Sequence, residues 1–523
     1  MRKLIIIVSF LFIFSFGYRL WDITNHFEVW DETAIVRVGE IYLNAFKNRD
    51  FSMETWKLNK EHPPFSKYVF GSTRVLSLRL PYFTEKLDQD YPIGRRYTFQ
   101  RIVSTFIGSL SVLLLFFIIR KFYNDKIAIL SSFSLSFTPY FIAHSRVPTQ
   151  ENLVLFLTLL STSIFFIALN SKNLYHKYFL YSGIFLGLAI ATKYNAFFFL
   201  ILFCALGLYE FHKEFIKSNI LIFKNYIILI PAISLGIFYA VWPWLWPDPI
   251  GRFLSSASRI NDSRYLEYFF GQLPSPHPWY YFFVYIFATT PPILILGVFL
   301  FLIKILFNRN KYDIWFFAYF LTPLLAMFSP LKMDGIRYIF PIYPALAVIS
   351  SIGFYWIIEN SSKFIEASYK SLTDFIIPLI VVGVLLMTNL IYHPFYWDYY
   401  NIFVGGPLGV YQNRLFDFGY WGEGLRDGMN YLYDSNVNHD IKKLYIKVLP
   451  VHVLPPYRNS ISYTDIIEEA DYVIINPAGE WLNQTNYLDY DFPEHFDIVF
   501  EENIMDAPIV QVYKRNAPYT GRL

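Results

Sequence analysis

Apolar residues in this chain fall into long unbroken runs, without the alternation of a half-buried strand or the one-faced spacing of a soluble helix. The first run, in MRKLIIIVSFLFIFSFGY, has the basic start of a signal peptide but no small-residue cleavage site, and it reads as a retained first span. Further runs lie at about 102–119, 127–143, 152–169, 178–192, 196–211, 226–245, 280–303, 314–330, 338–358 and 375–392. Each approaches the ~20 residues that a helix needs to cross a bilayer. The pattern predicts a polytopic α-helical membrane protein with about eleven transmembrane helices. Spans 178–192 and 196–211 are parted only by TKYN.

The polar positions divide into two long loops, at about 21–101 and 246–279, and a tail from His393. The second loop, rich in Pro and Trp, suits an interfacial position. In the tail, KLYIKVLPV, DYVIINPA, FDIVFEE and APIVQVYKR are strand-like, and WGEGLRDGMNYLYD is helical, so a small α/β domain is expected over 393–523. Residues 1–392 then form the membrane domain. No internal repeat is visible.

Charge orients the spans. With the N-terminus inside, the inner loops hold Arg2, Lys3, Arg120, Lys121, Lys126, Lys172, Lys177, Lys213, Lys217, Lys224, Lys304, Arg309, Lys311, Lys363 and Lys370. The short outer loops hold Arg146, Lys193, Lys332 and Arg337. The asymmetry obeys the positive-inside rule and puts the long loops and the tail outside, in a cell membrane with a cytoplasmic N-terminus. The tail has nine Lys/Arg against eighteen Asp/Glu, about −9, within a chain of net +3. The basic residues flank membrane runs, which excludes a nucleic-acid footprint. Composition agrees: 55% hydrophobic and 16% charged. The one cysteine, Cys204, sits in an apolar run and allows no disulfide framework.

Ionisable groups at membrane depth are costly and indicate function or pairing. Asp31-Glu32 opens a helical pattern just beyond the first span. It reads either as a helix N-terminus, which favours acidic residues, or as a general base or metal ligand. In KEHPPFSKY, Pro63-Pro64 hold His62 extended ahead of Lys67, either as a plain loop before a helix or as a rigid presenter of an anion-binding side chain. Arg146, Glu151, Lys193 and Arg337-Tyr338 fall on the same predicted side. Singly, each is equally a snorkelling or paired residue. Together they would make a pocket at the membrane edge with carboxylates and cations suited to a lipid phosphate.

The order WDE, EHPPFSK, SRVPTQENL, GIFLGLAIATKYNAFFFL and GIRYIFPIYPALAVISSIG resembles the GT-C superfamily of glycosyltransferases, in particular family 39, which groups protein O-mannosyltransferases with lipid A aminoarabinose transferases. The resemblance covers the membrane part. It implies transfer of a sugar from a polyprenyl-phosphate donor to a glycan, lipid or protein acceptor, with inversion. Asp31 would be the base with Glu32 its acidic companion, and His62, Lys67, Arg337 and Tyr338 would lie at the donor phosphate. Arg101, Arg146, Glu151 and Lys193 form a second tier. Glu151 stands where relatives commonly have Asp, and Lys193 belongs to a T-K element. No cofactor is expected, although Asp31, Glu32 and Glu151 offer oxygen ligands for a divalent cation, as in oligosaccharyltransferases of the same superfamily. WDYYN at 397–401 resembles the W-W-D-Y-G signature of those enzymes but opens the tail and is set aside. Alternatives are a transporter or flippase of lipid-linked glycans, whose repeated halves this chain lacks, a metal-dependent oligosaccharyltransferase-like enzyme, and a membrane anchor that presents a binding tail.

Overall fold

The computed structural model describes residues 2–25, 29–80, 97–171, 176–215, 228–262, 267–273, 276–329, 334–361, 367–419, 421–433, 443–447, 462–464, 466, 469–476 and 495–516. Of the basic residues that orient the chain, Lys172, Lys217, Lys224, Lys332 and Lys363 lie outside them, as does the end of the strand-like KLYIKVLPV.

Each predicted span has a helical counterpart. These are α1 (Arg2–Leu20), α4 (Thr98–Phe122), α5 and α6 (Asp125–Ser136, Pro139–Ser145), α7 (Gln150–Leu169), α8 (His176–Ile190), α9 (Phe198–Phe215), α10 (Ile230–Ala240), α12 and α13 (Tyr281–Thr289, Pro292–Phe307), α14 (Lys311–Leu324), α15 (Tyr343–Ser361) and α16 (Ala367–Tyr392). Among the described residues, five helices are long and apolar enough to cross a membrane, or six if the bent pair Asp125–Ser136 and Pro139–Ser145 is one span. Two expected spans are broken. Residues 127–143 bend by 66° at Phe137-Thr138, where Pro139 starts a new helix. Residues 280–303 break at Thr290-Pro291, since the missing N–H and ring of proline end the preceding helix.

The described part of the first long loop is largely helical. α2 (Trp30–Asn48) and α3 (Phe65–Ser77) cross at two glycines. A Cβ on Gly39 would lie 2.0 Å from the Lys67 carbonyl oxygen, and one on Gly71 would lie 2.3 Å from the Gly39 carbonyl carbon. Only glycine permits this approach, which packs the helix that carries Asp31 against the one that carries Lys67. In the second loop, α11 (Pro249–Asp262) is amphipathic.

The tail forms a mixed five-stranded sheet of order β2-β1-β3-β5-β4, with β1 (Lys443–Lys447), β2 (Ser462–Tyr463), β3 (Tyr472–Ile475), β4 (Phe496–Ile504) and β5 (Ala507–Arg515). β1 pairs in parallel with β2 and β3, and β5 antiparallel with β3 and β4. Leu425, Met429 and Leu432 of α17 (Leu425–Tyr433) pack on Tyr472, Ile474, Val510 and Val512. Ile504, Ala507 and Ile509 join the same buried cluster as the membrane helices, which seats the tail against the membrane domain.

Candidate functional site

Arg337 is the centre of the site. It lies on a 3-10 turn, Gly335–Ile342, entered through Asp334 and Gly335 at φ 55° and 53°. Asp334 tolerates that left-handed backbone better than most residues, and Gly335 adopts it freely. A Cβ on Gly335 would meet the Tyr285 ring at 2.8 Å. The turn is clamped by Glu267, whose Oε1 accepts from the Gly335 N–H at 3.1 Å and from the Tyr285 hydroxyl at 2.6 Å. Tyr281 donates to both Glu267 oxygens at 2.6 Å.

From this turn the guanidinium reaches two distant segments. Its Nη2 donates to Asp31 Oδ2 at 2.5 Å and to Glu151 Oε1 at 2.8 Å, and its Nε donates to Glu151 Oε1 at 3.0 Å. Asp334 Oδ2 lies 3.4 Å from Nη1, and the Trp421 ring lies under the guanidinium at 4.0 Å. Lys193 Nζ completes the network at 2.9 Å from Glu151 Oε1, over the Tyr338 ring at 4.7 Å. Two cations thus share one buried carboxylate oxygen, and Asp31, with 19% of its side chain exposed, is the more accessible acid.

Glu32 takes no part in this network. Its carboxylate accepts both Arg101 Nε and Nη2 at 2.7 Å, with both side chains fully buried, and its Oε2 also accepts the Val29 N–H at 2.9 Å. The helix-start reading of Asp31-Glu32 therefore holds for Glu32, which caps α2 and leaves Asp31 facing Arg337. Lys67 and His62 also differ from expectation as phosphate contacts. Lys67 is buried, and its Nζ donates to the carbonyls of Asn59 at 2.6 Å and His62 at 2.7 Å. Burial pushes its ammonium down to about 7. Burial, with Lys67 beside it, holds the His62 imidazole down at about 3, so His62 is neutral at physiological pH. The diproline loop docks on the TKYN turn through the Phe65 N–H, which donates to the Ala191 carbonyl at 2.8 Å. Arg146 donates Nη2 to the Trp21 carbonyl at 2.9 Å and stands apart from Arg337.

The three carboxylates considered for a cation are divided: Glu32 goes to Arg101, while Arg337 bridges Asp31 and Glu151. Among the described residues no group of three or more His, Cys, Asp and Glu is placed to hold a metal. Sequence reasoning missed His144, Glu267 and the base of the tail. His144 lies 4.0 Å from Glu151 Oε2, between the rings of Phe340 at 4.6 Å and Trp397 at 4.1 Å. It stands within the quoted HSRVPTQENL and WDYYN was noted, but nothing in either stretch marks them as neighbours.

A mostly helical chain with several apolar helices, a small C-terminal sheet and a buried cluster of charged side chains is that of a multi-pass membrane protein. Residues 93–244 match the family described as dolichyl-phosphate-mannose-protein mannosyltransferase, a stretch that includes Arg101, Arg146, Glu151 and Lys193. The match bears out the resemblance to GT-C glycosyltransferases of the O-mannosyltransferase kind. Among solved structures, ArnT from Cupriavidus metallidurans bound to undecaprenyl phosphate is similar at 12% identity over 100% of this chain and 99% of that one, TM-score 0.48. The Archaeoglobus fulgidus oligosaccharyltransferase AglB with an inhibitory peptide and a dolichol-phosphate is similar at 13% identity over 62% and 47%, TM-score 0.39. The S. cerevisiae Pmt1-Pmt2 complex bound to the sugar donor is similar at 18% identity over 49% and 34%, TM-score 0.31. No curated protein matches the chain.

Proposed function

We propose that this protein transfers a sugar from a polyprenyl-phosphate donor to a hydroxyl-bearing acceptor, a glycan, lipid or protein, at the outer face of the cell membrane. The observation that carries the reading is the Arg337 guanidinium, held between Asp31 and Glu151. Such a donor is already activated, because phosphate is the leaving group. The protein must neutralise charge growing on that phosphate and accept the proton of the attacking hydroxyl. Arg337, with Lys193 beside it, supplies the charge, and Asp31 is the base. A donor phosphate competes with Asp31 for Arg337, and the carboxylate so released is free to take the acceptor proton as the hydroxyl attacks the anomeric carbon with inversion. Glu151 keeps the two cations together. Tyr338, His62 and Lys67 shape the rim, the last by fixing the loop that its ammonium closes.

The reaction uses no cofactor in this reading, and transfer is expected to survive excess EDTA. The decisive test is Asp31→Asn, assayed with polyprenyl-phosphate sugars in membranes. Transfer should disappear while binding of bare polyprenyl phosphate and thermal stability persist. Wild-type activity in that variant refutes the assignment of the base. Mass spectrometry of surface glycans and glycoproteins in a deletion strain identifies the acceptor.

A further inference from the structure

Beside Arg337 opens a recess of about 440 Å³, open mouth included. Its walls come from Glu267, the turn Asp334–Arg337, and Trp397, Asp398, Asp417, Trp421 and Glu423 at the base of the tail. Three polar atoms of the tail wall make no hydrogen bond within the described protein: Asp398 Oδ2, Glu423 Oε1 and Trp397 Nε1. Their side chains are 3%, 0% and 4% exposed. The carboxyls are held in fixed orientations. Asp398 Oδ1 accepts the Gly419 N–H at 2.6 Å and Glu423 Oε2 accepts the Trp421 N–H at 2.6 Å, which leaves one oxygen of each over. Buried polar atoms without partners are costly and uncommon unless something fills the space beside them.

The chemistry of this wall is specific. Trp421 stacks on Trp397 with ring centroids 4.8 Å apart and lies 4.0 Å from the Arg337 guanidinium, so the two indoles give the recess an aromatic wall. Burial, and for Glu423 the nearby Asp398, push both carboxyls up, Asp398 to about 7, so the pair retains a proton and can both donate and accept. A sugar ring needs this combination: apolar surface for its C–H groups, and mixed donors and acceptors for its hydroxyls. Resting on the transferase reading, we propose that the recess holds the sugar ring of the donor, with Asp398, Glu423 and Trp397 recognising its hydroxyls. Arg337 belongs to both regions, so a ring in the recess lies next to a phosphate on the guanidinium and close to Asp31. The tail is then part of the donor site, and its first thirty or so residues set which sugar is used.

The test uses full-length protein in detergent and four probes: bare polyprenyl phosphate, and polyprenyl phosphate carrying mannose, glucose or arabinose. Binding is measured by isothermal titration calorimetry. At least one sugar-bearing lipid should bind about tenfold more tightly than the bare one, and Asp398→Asn/Glu423→Gln should abolish that gain while leaving bare-lipid affinity unchanged. Trp397→Phe, which removes the indole donor and keeps an aromatic ring, should reduce the gain several-fold. The proposal falls if no sugar confers a gain, if the variants keep the gain, or if bare-lipid binding falls in parallel in both variants. A wild-type protein that binds none of the four lipids refutes the transferase reading itself, an outcome separate from these.

Discussion

Arg101→Leu isolates the part of the site that is structural. The Glu32 carboxylate would lose two charge-assisted hydrogen bonds of 2.7 Å in a fully buried setting. Removing one partner of a buried pair costs about 3–5 kcal/mol, chiefly because the remaining charge is stranded. Replacing both partners with apolar residues removes the stranded charge, so Glu32→Met/Arg101→Leu should recover most of that loss and fall short of wild type by about 1 kcal/mol, the worth of the lost cap to the Val29 N–H. The assay is thermal unfolding of the full-length protein in detergent, followed by tryptophan fluorescence at one scan rate, because membrane-protein melting is scan-rate dependent when irreversible. The order expected is wild type, then the double variant, then Arg101→Leu. An Arg101→Leu protein that melts with wild type refutes the reasoning. So does a double variant whose loss is the sum of the single losses, since the two side chains would then be energetically independent.

Three further outcomes follow from the same geometry. Gly71→Ala drives a Cβ into the backbone of Gly39, against which nothing flexible can yield, and should cost roughly 3 kcal/mol in the same melting assay; an unchanged melting temperature contradicts the close crossing of α2 and α3. Lys67→Met strips the Asn59 and His62 carbonyls of their donor, at about 2 kcal/mol, and should raise the KM for the lipid donor while leaving that for the acceptor unchanged; the reverse split sinks the account of the loop. Asp398 holds its proton to about 7 when folded against 3.8 ordinarily, so the folded state binds more protons between about pH 4 and 7 and stability falls as pH rises through that window. Melting should therefore be higher at pH 5.5 than at 7.5, by less in Asp398→Asn than in wild type; equal pH dependence in the two removes Asp398 as the source.

The membrane helices were legible because a bilayer demands unbroken apolar length, and each run has its helix. The two breaks were legible as well, in principle: FTPY and TTPP place proline inside apolar runs, and hydropathy alone cannot register a ring that forbids the preceding turn. That Asp31, Glu151, Lys193 and Arg337 lie together is what a shared side of the chain would give. Which pair with which could not be inferred that way. Arg337 and Asp31 are 306 positions apart, and Glu32, one residue from Asp31, points to Arg101 because position three of a helix turns its side chain back toward the cap.

Among the described residues, Arg337, Lys193, Arg101 and Lys67 are each engaged by carboxylates or carbonyls. Arg337 and Lys193 converge on Glu151 Oε1, Arg101 is locked on Glu32, and Lys67 closes a loop of carbonyls. Burying like charges together is unfavourable unless acids interleave them, and the interleaving differs from cation to cation. Arg101 sits in a bidentate pair with no exposed face, so a phosphate has no access to it. Arg337 is bound to a partly exposed acid, borders an open recess and carries three carboxylates on a single guanidinium. Exchanging one of those carboxylates for a phosphate therefore costs less there than at Arg101. The diproline loop fits the same logic: Pro63 and Pro64 withhold two N–H donors and fix the chain direction, which leaves the Asn59 and His62 carbonyls turned toward Lys67 and keeps that ammonium away from the phosphate that Arg337 would hold.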